Sequence, residues 1–481
     1  MRCLAIAQRW VGVGGRAFLF TAAVSEDLRR RYVAEGVDVL IMPALNADHD
    51  DAARTAEMAS LVNASWVVVD GYQFGSEYQE RMRAHGCSLL FIDDYGHARQ
   101  YFADIVVNQN ISANELIYER RSAETRLLIG SKYVLLRKEF RRWDSWKRAF
   151  PEIARKILIT MGGGDPLNVT EKVVSALKQL RVSLVEVRVI VGHCNQHRST
   201  IERSLASSQF AGELCSDVAA MPELMAWADL AMTAGGSTTL ETAFMGLPTI
   251  AIVTAENQRQ VADCMHAKGT LVNLGWHETV SMQDIASALS SVIDNRKLRA
   301  DMSAKGRALV DGLGTHRVVS EMMGSALTLR NIEATDADFL FLWANDSDVR
   351  KASFNSNPIN PEEHRKWFCS KLRDSECLFF IAHEPAGKPV GQVRFDCSDG
   401  VAEVDVSVAR EYRRKGFGCA IVSNGIKRLQ KFRKIGCVRA YVKIDNERSI
   451  KTFLQAGFVN KGTARMYGCE AVRMEWRADD R

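Results

Sequence analysis

The stretch Ala228–Val253, ADLAMTAGGSTTLETAFMGLPTIAIV, decides how most of this chain is read. An apolar run stops at Gly235-Gly236, a helix-forming segment follows, and Pro248 leads into a second apolar run. Apolar runs that do not alternate with polar residues belong to strands covered on both faces, which is the mark of a parallel α/β sheet. Ser237 and Thr238 stand where they can cap the helix and offer hydroxyls. Glu241 lies four residues after Ser237, so the two share one helix face. A phosphate on the helix end with the carboxylate on ribose hydroxyls fits this pattern, and so does an ordinary cap and turn. Just downstream, TAENQRQ brings Glu256, Asn257 and Gln258 to the end of the second strand.

The same grammar extends in both directions. KILITMGGGDPLN, from Lys156, reads as strand, glycine turn and a helix from about Thr170. Its glycines, Gly163 and Gly164 among them, suit either a backbone anion cradle or a tight turn. EVRVIVG and GTLVNLG supply further strands, and a helical tail runs to about 330. Upstream, strands are expected at 17–20, 66–69, 87–94 and 103–110. Asp70, Tyr72, Asp93, Asp94, Asn108 and Asn110 fall past their ends, where ligands of such sheets bind. Adjacent Asp93 and Asp94 point to opposite sides and make no carboxylate pair. Met1–Trp10 reads as a helix that opens the chain in the middle of a β-α-β unit. His193, Cys194 and His197 lack a matching ligand pair, so no metal site is expected.

After about 330 the pattern changes. CLFFIAHEPAGKPVGQVRFDCSDGVAEVDVSVA alternates apolar and polar residues, with turns at 385–389 and 398–400, which indicates antiparallel strands. VDVSVAREYRRKGFGCAIVSNGIKRL then runs from a strand into Arg413-Arg414-Lys415-Gly416-Phe417-Gly418 and a helix over 416–434. Glycines at 416 and 418 let backbone N–H groups meet a diphosphate, and three cations beside them suit an anionic ligand. A strand at 437–444 and a helix from 447 follow. The expected division is an α/β domain at 1–148, a second at 149–330 and a third domain at 331–481.

Composition sets wide bounds. At 481 residues the chain exceeds one comfortable core. A formal charge of +5 permits anionic substrates but does not argue for nucleic acid. None of the eleven Cys forms a CxxC pair, so they read as reduced thiols of a cytoplasmic protein. No apolar run approaches a membrane span.

On these motifs the first 320 residues resemble the nucleotide-sugar half of GT-B glycosyltransferases, and most closely the PseG-type UDP-2,4-diacetamido-2,4,6-trideoxy-β-L-altropyranose hydrolases. VVVDGYQF, FIDDYGHA, LITMGGGDPLNVT, the Ala228 stretch and TAENQ carry the likeness. It implies UDP binding by Ser237, Thr238 and Glu241, with Gly163 and Gly164 lining the cleft. Asn257, Gln258 and Tyr72 would serve the sugar, and water would displace UDP at the anomeric carbon, with Tyr72 and Asp94 as the catalytic candidates. In that family the first strand ends in GxGHxxRC, whose His is the expected base. Arg2 and Cys3 match only its last positions, so the resemblance places that strand and His ahead of Met1.

RxxGxG at Arg413–Gly418 and NERSIKTFLQAGF from Asn446 resemble the GNAT acetyltransferases. The resemblance implies acetyl-CoA, held by Arg413, Arg414, Gly416, Gly418, Asn446 and the backbone of Val406 and Val408. Many members carry Tyr where this chain has Phe453, which leaves Glu403 and Tyr441 as acid–base candidates. FLFLWANDSDVRKASFNSNPINPEEHRKWF resembles the acceptor region of PseH-type aminosugar N-acetyltransferases, with Trp343, Asn345, Arg350 and His364 as implied acceptor-binding residues. Trp343 and Trp367 fit core aromatics equally well. The expected protein is therefore a GT-B-like pair of Rossmann-type domains followed by a GNAT acyltransferase domain. It would acetylate a UDP-linked aminosugar and hydrolyse the product, as in pseudaminic acid synthesis for flagellin glycosylation. Alternatives are a hydrolytically impaired nucleotide-sugar-binding module beside an active acetyltransferase, and the equivalent pair in legionaminic acid synthesis.

Overall fold

A computed structural model describes residues 1–42, 51–180, 185–192, 195–216, 218, 220–384 and 387–478. His193 and Cys194, and the turn positions 385 and 386, lie outside the described residues. The chain divides into two compact units, one of Met1–Gln8 with Arg16–Thr315 and one of Arg9–Gly15 with His316–Arg481.

In the first unit, β1 (Ala17–Thr21) and β2 (Val37–Ile41) form a two-stranded parallel sheet. β3 (Val67–Asp70), β4 (Leu89–Ile92), β5 (Ile105–Asn108) and β6 (Arg126–Ile129) form a four-stranded parallel sheet in sequence order. Every residue of β4 and β5 is buried, as their unbroken apolar runs require. The third sheet contains β7 (Lys156–Thr160), β8 (Glu186–Val191), β9 (Ala211–Ser216), β10 (Leu230–Ala234), β11 (Thr249–Val253) and β12 (Val272–Trp276). All are parallel, in the order β12-β11-β10-β7-β8-β9. This is the Rossmann arrangement, and the order reverses between β7 and β10. The chain leaves those two strands in opposite directions, which opens a crevice at their carboxyl ends. The turns there are Met161–Gly164 and Gly235-Gly236, the two glycine turns picked out from the sequence.

The second unit is built on a seven-stranded sheet. Its strands are β13 (Thr328–Asn331), β14 (Cys377–His383), β15 (Pro389–Ser398), β16 (Val401–Val408), β17 (Cys437–Lys443), β18 (Val459–Met466) and β19 (Cys469–Arg477). The order is β13-β14-β15-β16-β17-β19-β18, and only β16 and β17 run parallel. The boundary expected at 330 falls inside β13, because Thr328–Asn331 pair with Phe380–His383 and so belong to this sheet. Asp399-Gly400, at φ 49° and 75°, closes the β15–β16 hairpin with the positive-φ pair that a two-residue turn demands.

Parallel pairing of β16 with β17 covers only Val401↔Cys437, Ala402↔Val438 and Glu403↔Arg439. Beyond Glu403 the strands diverge, while β16 stays paired to β15 as far as Val408. The helix Phe417–Phe432 covers one face, burying Ala402 and Val404. No described helix is long and apolar enough to cross a membrane.

Candidate functional sites

The crevice of the first unit is open at one strand end and closed at the other. After β10, the helix Thr238–Phe244 starts at Ser237 with no side-chain cap. The Ser237 and Thr238 hydroxyls are therefore not spent on capping, contrary to the capping expected from sequence. Ala262 and the Gln258 Cβ would lie 3.3 and 3.4 Å from a Cβ at Gly235, so the turn packs closely against the helix Arg259–Ala267. Gln258 does not present its amide oxygen to a ligand: that oxygen accepts from the Thr254 N–H and hydroxyl at 3.0 and 3.2 Å. After β7, Asp165 accepts from the amides of Val169 and Thr170 at 3.0 and 2.8 Å. The helix Val169–Leu177 is thereby capped from within the chain, and the MGGGDP turn has no free helix end to offer an anion. Gly163 instead meets Gly192, whose N–H donates to the Gly163 carbonyl at 3.0 Å.

Glu241 faces Arg137, a residue that sequence reasoning missed. Arg137 Nη2 lies 3.1 Å from Glu241 Oε1, and its Nε lies 3.0 Å from Glu139 Oε1. Burial pushes the Glu241 carboxyl above its ordinary value, and Arg137 opposes that push. Locally Arg137 is only the first of three charged residues, with Lys138 and Glu139, between Leu136 and Phe140.

Around β3 and β4 the two aspartates divide, as expected. Asp93 turns inward and is fully buried. It accepts from the amides of Asp94, Tyr95 and Gly96, from the Tyr101 hydroxyl and from His97 Nδ1 at 3.1 Å. His97 Nε2 meets the Phe74 carbonyl at 3.0 Å. Both partners of the ring are acceptors, so both nitrogens carry protons and His97 is a structural imidazolium, held above its ordinary pKa mainly by Asp93. Asp94 turns outward. Arg2 joins it to Asp70, donating at 2.5 Å to Asp94 and at 2.6 and 3.1 Å to Asp70. The Tyr72 hydroxyl donates to Asp94 at 2.6 Å and accepts from Asn257 Nδ2 at 2.7 Å. Residues 185 positions apart thus meet. Desolvation, then the bond to Asp94, raises the Tyr72 phenol and keeps it a proton donor.

The second unit places its glycine loop beside the diverging strands. The Ala409 N–H donates to the Val390 carbonyl at 2.8 Å, so odd-numbered residues of β16 bond β15. The backbone groups of Val404, Val406 and Val408 therefore point into the splay. Gly416 at φ 90° begins the helix Phe417–Phe432 with no side-chain cap, and Arg414 before it is also at positive φ, 64°. A Cβ at Gly418 would sit 3.1 Å from Thr452. Arg413 is a correction to the expected charge on a diphosphate. Its guanidinium donates to the Val408 carbonyl at 2.9 Å and to Asp346 at 2.7 Å, so it clamps the loop to the strand. Asn446 caps the helix Glu447–Gln455 through its oxygen, which accepts from the Ser449 N–H at 3.1 Å.

The acceptor-side residues implied by resemblance turn inward. Asn345 exchanges two hydrogen bonds with the backbone of Ile359, at 3.1 and 2.8 Å. Arg350 donates to the carbonyls of Ala344, Asn355 and Asn357 and to Ser353 Oγ. His364 is buried among Phe341, Trp367 and Phe368, and burial lowers its pKa. Trp343 packs on Phe339 within the core of Leu340, Phe368, Phe379 and Ile381. These side chains build the loop and its support; they do not reach out to a ligand. Phe453 is buried against Phe458.

On the sheet face opposite the helix Phe417–Phe432, Glu403 occupies the last position of β16 that pairs with β17, between Asp396 and Arg439. Burial and then Asp396 raise its pKa. Arg439 also faces Tyr441. Asp405, two residues further into the splay, is exposed and receives Gln392 Nε2 at 2.8 Å. Sequence reasoning passed over Asp405, although the alternation in VDVSV already put it on the face of Glu403. Among the described residues no group of His, Cys, Asp and Glu is placed to hold a metal.

Residues 156–312 match the glycosyltransferase family 28 C-terminal domain, and residues 326–459 match the acetyltransferase (GNAT) domain. The whole chain is similar to an uncharacterized protein of Methanocaldococcus jannaschii, with 22% identity over 483 residues, 95% of this chain and 93% of the relative. It is similar to the spore coat polysaccharide biosynthesis protein SpsG of Bacillus subtilis, with 27% identity over 237 residues, 48% of this chain and 68% of the relative. The second unit is similar to spermidine N-acetyltransferase from Vibrio cholerae, solved in complex with CoA and spermine, with 19% identity and a TM-score of 0.30 over 32% of this chain and 97% of that one. The chain thus joins a glycosyltransferase-28-like α/β domain to a GNAT acetyltransferase domain.

Proposed function

We propose that this chain acts twice on a UDP-linked aminosugar. The second unit would acetylate the 4-amine from acetyl-CoA, and the first would bind the UDP-sugar and release UDP by hydrolysis, as PseH-type and PseG-type enzymes do in sequence. The observation that carries the reading is the splay of β16 and β17 beside an uncapped helix start. The even-numbered backbone of β16 past Glu403, which faces away from β15 where β17 has diverged, suits the amide-bearing pantetheine arm, and the N–H groups at Gly416–Gly418 suit a diphosphate. Bound acetyl-CoA supplies the thioester carbon that the amine attacks. Asp405, with Glu403 beside it, takes the proton lost from the ammonium as the N–C bond forms and the C–S bond breaks. The thiolate takes a proton from solvent, since Phe453 has none to give.

In the first unit, the hydroxyls of Ser237 and Thr238 and the open helix start face a diphosphate, and Glu241 accepts from ribose. Tyr72 and Asn257 hold the sugar, and Asp94 orients the attacking water and receives its proton while UDP departs. A second reading keeps this unit as a nucleotide-sugar-binding module without hydrolysis. It is favoured by His97, whose two nitrogens are both committed to acceptors.

The test supplies acetyl-CoA and UDP-4-amino-4,6-dideoxy-N-acetyl-β-L-altrosamine, then follows CoA and UDP separately. Release of both supports the two-step reading. CoA alone selects the binding-module reading, and release of neither overturns both.

A further inference from the structure

We propose that Phe354 and Tyr467 form an aromatic subsite that stacks on the pyranose ring of the acceptor at the mouth of the β16–β17 splay. The proposal rests on the acetyltransferase reading of the second unit. β17 ends at Lys443, which pairs with Ala471, and Met466 pairs with Cys469 across the β18–β19 hairpin. The turn Tyr467-Gly468 therefore stands past the end of β17 at which the splay opens. Tyr467 is 84% exposed, so its ring gains little from burial in the fold. Its φ is 49°, a conformation that favours Gly or Asn and is strained for a bulky side chain. An aromatic residue kept there at a conformational cost, and facing solvent, has its use outside the fold.

The Phe354 ring lies 6.0 Å from that of Tyr467, tilted by 39°. The segment carrying Phe354 is fixed at several points. Asn345 pins Ile359, Arg350 gathers the carbonyls of Asn355 and Asn357, and Lys443 Nζ donates to the Lys351 carbonyl at 3.1 Å. That last bond ties the segment to the end of β17. The inward-turned polar residues thus acquire a purpose: they hold an apolar ring in place at the end of β17 where the splay opens. A pyranose offers one face of C–H bonds to such a wall and an equatorial or axial amine at its rim. A flexible linear amine has no such face.

The experiment uses the full chain with UDP-4-amino-4,6-dideoxy-N-acetyl-β-L-altrosamine as the acetylation probe. Tyr467→Gly and Phe354→Ala should each raise its KM about 10-fold with kcat changed less than 2-fold, as expected for one lost ring contact. Tyr467→Trp should restore the wild-type KM. Acetyl-CoA affinity by calorimetry should not change, and Tyr467→Gly should unfold at the wild-type temperature or higher because the strain is relieved. An unchanged KM in both variants, or failure of the wild type to acetylate this probe while it binds acetyl-CoA, overturns the subsite. Failure of the wild type to bind acetyl-CoA overturns the acetyltransferase reading beneath it.

Discussion

Replacing Arg137 with Met should destabilise the first unit by at most about 3.4 kcal/mol at pH 7 and at most about 0.7 kcal/mol at pH 5, since burial already raises the Glu241 carboxyl in the wild type. Arg137 sits between Glu241 and Glu139, and all three side chains are at most 18% exposed. Glu139 keeps Arg31 at 2.5 Å after the change, so it retains a partner. Glu241 does not, although Arg31 acts on it from further away. Removing one member of a buried pair costs about 3–5 kcal/mol when the other stays charged. Glu241 has an escape, which is to take up a proton. From an ordinary carboxyl value of 4.5, that costs about 1.36 kcal/mol for each pH unit above it, and this sets the ceiling. The sign follows from the proton balance. In the variant the folded state holds a proton that the unfolded chain releases above pH 4.5, so stability falls as pH rises toward the folded-state value. Urea unfolding of the full chain at pH 5, 6 and 7 measures the slope, and a Glu241→Gln background should abolish it. A penalty that is independent of pH, or larger at pH 5 than at pH 7, would refute the reasoning.

Gly416→Val should weaken acetyl-CoA binding at least tenfold and leave UDP binding alone, since a branched residue cannot hold φ 90° without strain; an unchanged titration counts against the diphosphate loop. Arg413→Ala and Asp346→Asn should lower acetyl-CoA affinity by similar factors, with the double variant no worse than either, because they act through one ion pair; additive losses would show that Arg413 meets the ligand directly. Glu241→Ala should weaken UDP binding by about 1.5–3 kcal/mol in a competition assay, and equal binding would remove it from the ribose site. His97→Gln should destabilise more at pH 6 than at pH 9: the pKa of His97 is raised, so its contribution is complete below about 6.5 and fades as pH rises through the folded value. Thermal unfolding at the two pH values decides this, and a larger penalty at pH 9 sinks it.

The strands beside the glycine turns were legible in the amino acids, and so was the place of each glycine turn, whereas Val37–Ile41, Arg126–Ile129, Ala211–Ser216 and the hairpin Val459–Met466 with Cys469–Arg477 were not. The helix expected over 416–434 spans Phe417–Phe432, and the strand expected over 437–444 spans Cys437–Lys443. The change from unbroken apolar runs to alternation marked the antiparallel sheet, whose first strand is Thr328–Asn331. These features depend on neighbours three or four positions away, and on the positive φ that only certain residues accept, so a short window contains their cause. The missed division inside β13 shows the limit: four residues become part of a sheet only through a partner about fifty positions on.

The destinations of long polar side chains were decided by tertiary structure. Arg413 and Arg350 carry the charge that an anionic ligand wants, yet one clamps Val408 and Asp346 and the other gathers loop carbonyls. Asp165 closes a helix start that glycines had made attractive, and the Ser237 helix stays open. Arg137 finds Glu241, and Tyr72 finds Asn257, across one hundred or more residues of chain. A guanidinium or a phenol reaches several positions from one backbone site, and its pattern in sequence is the same for all of them. What selects among them is which acceptor loses its water when the elements pack, and that depends on residues no local window contains.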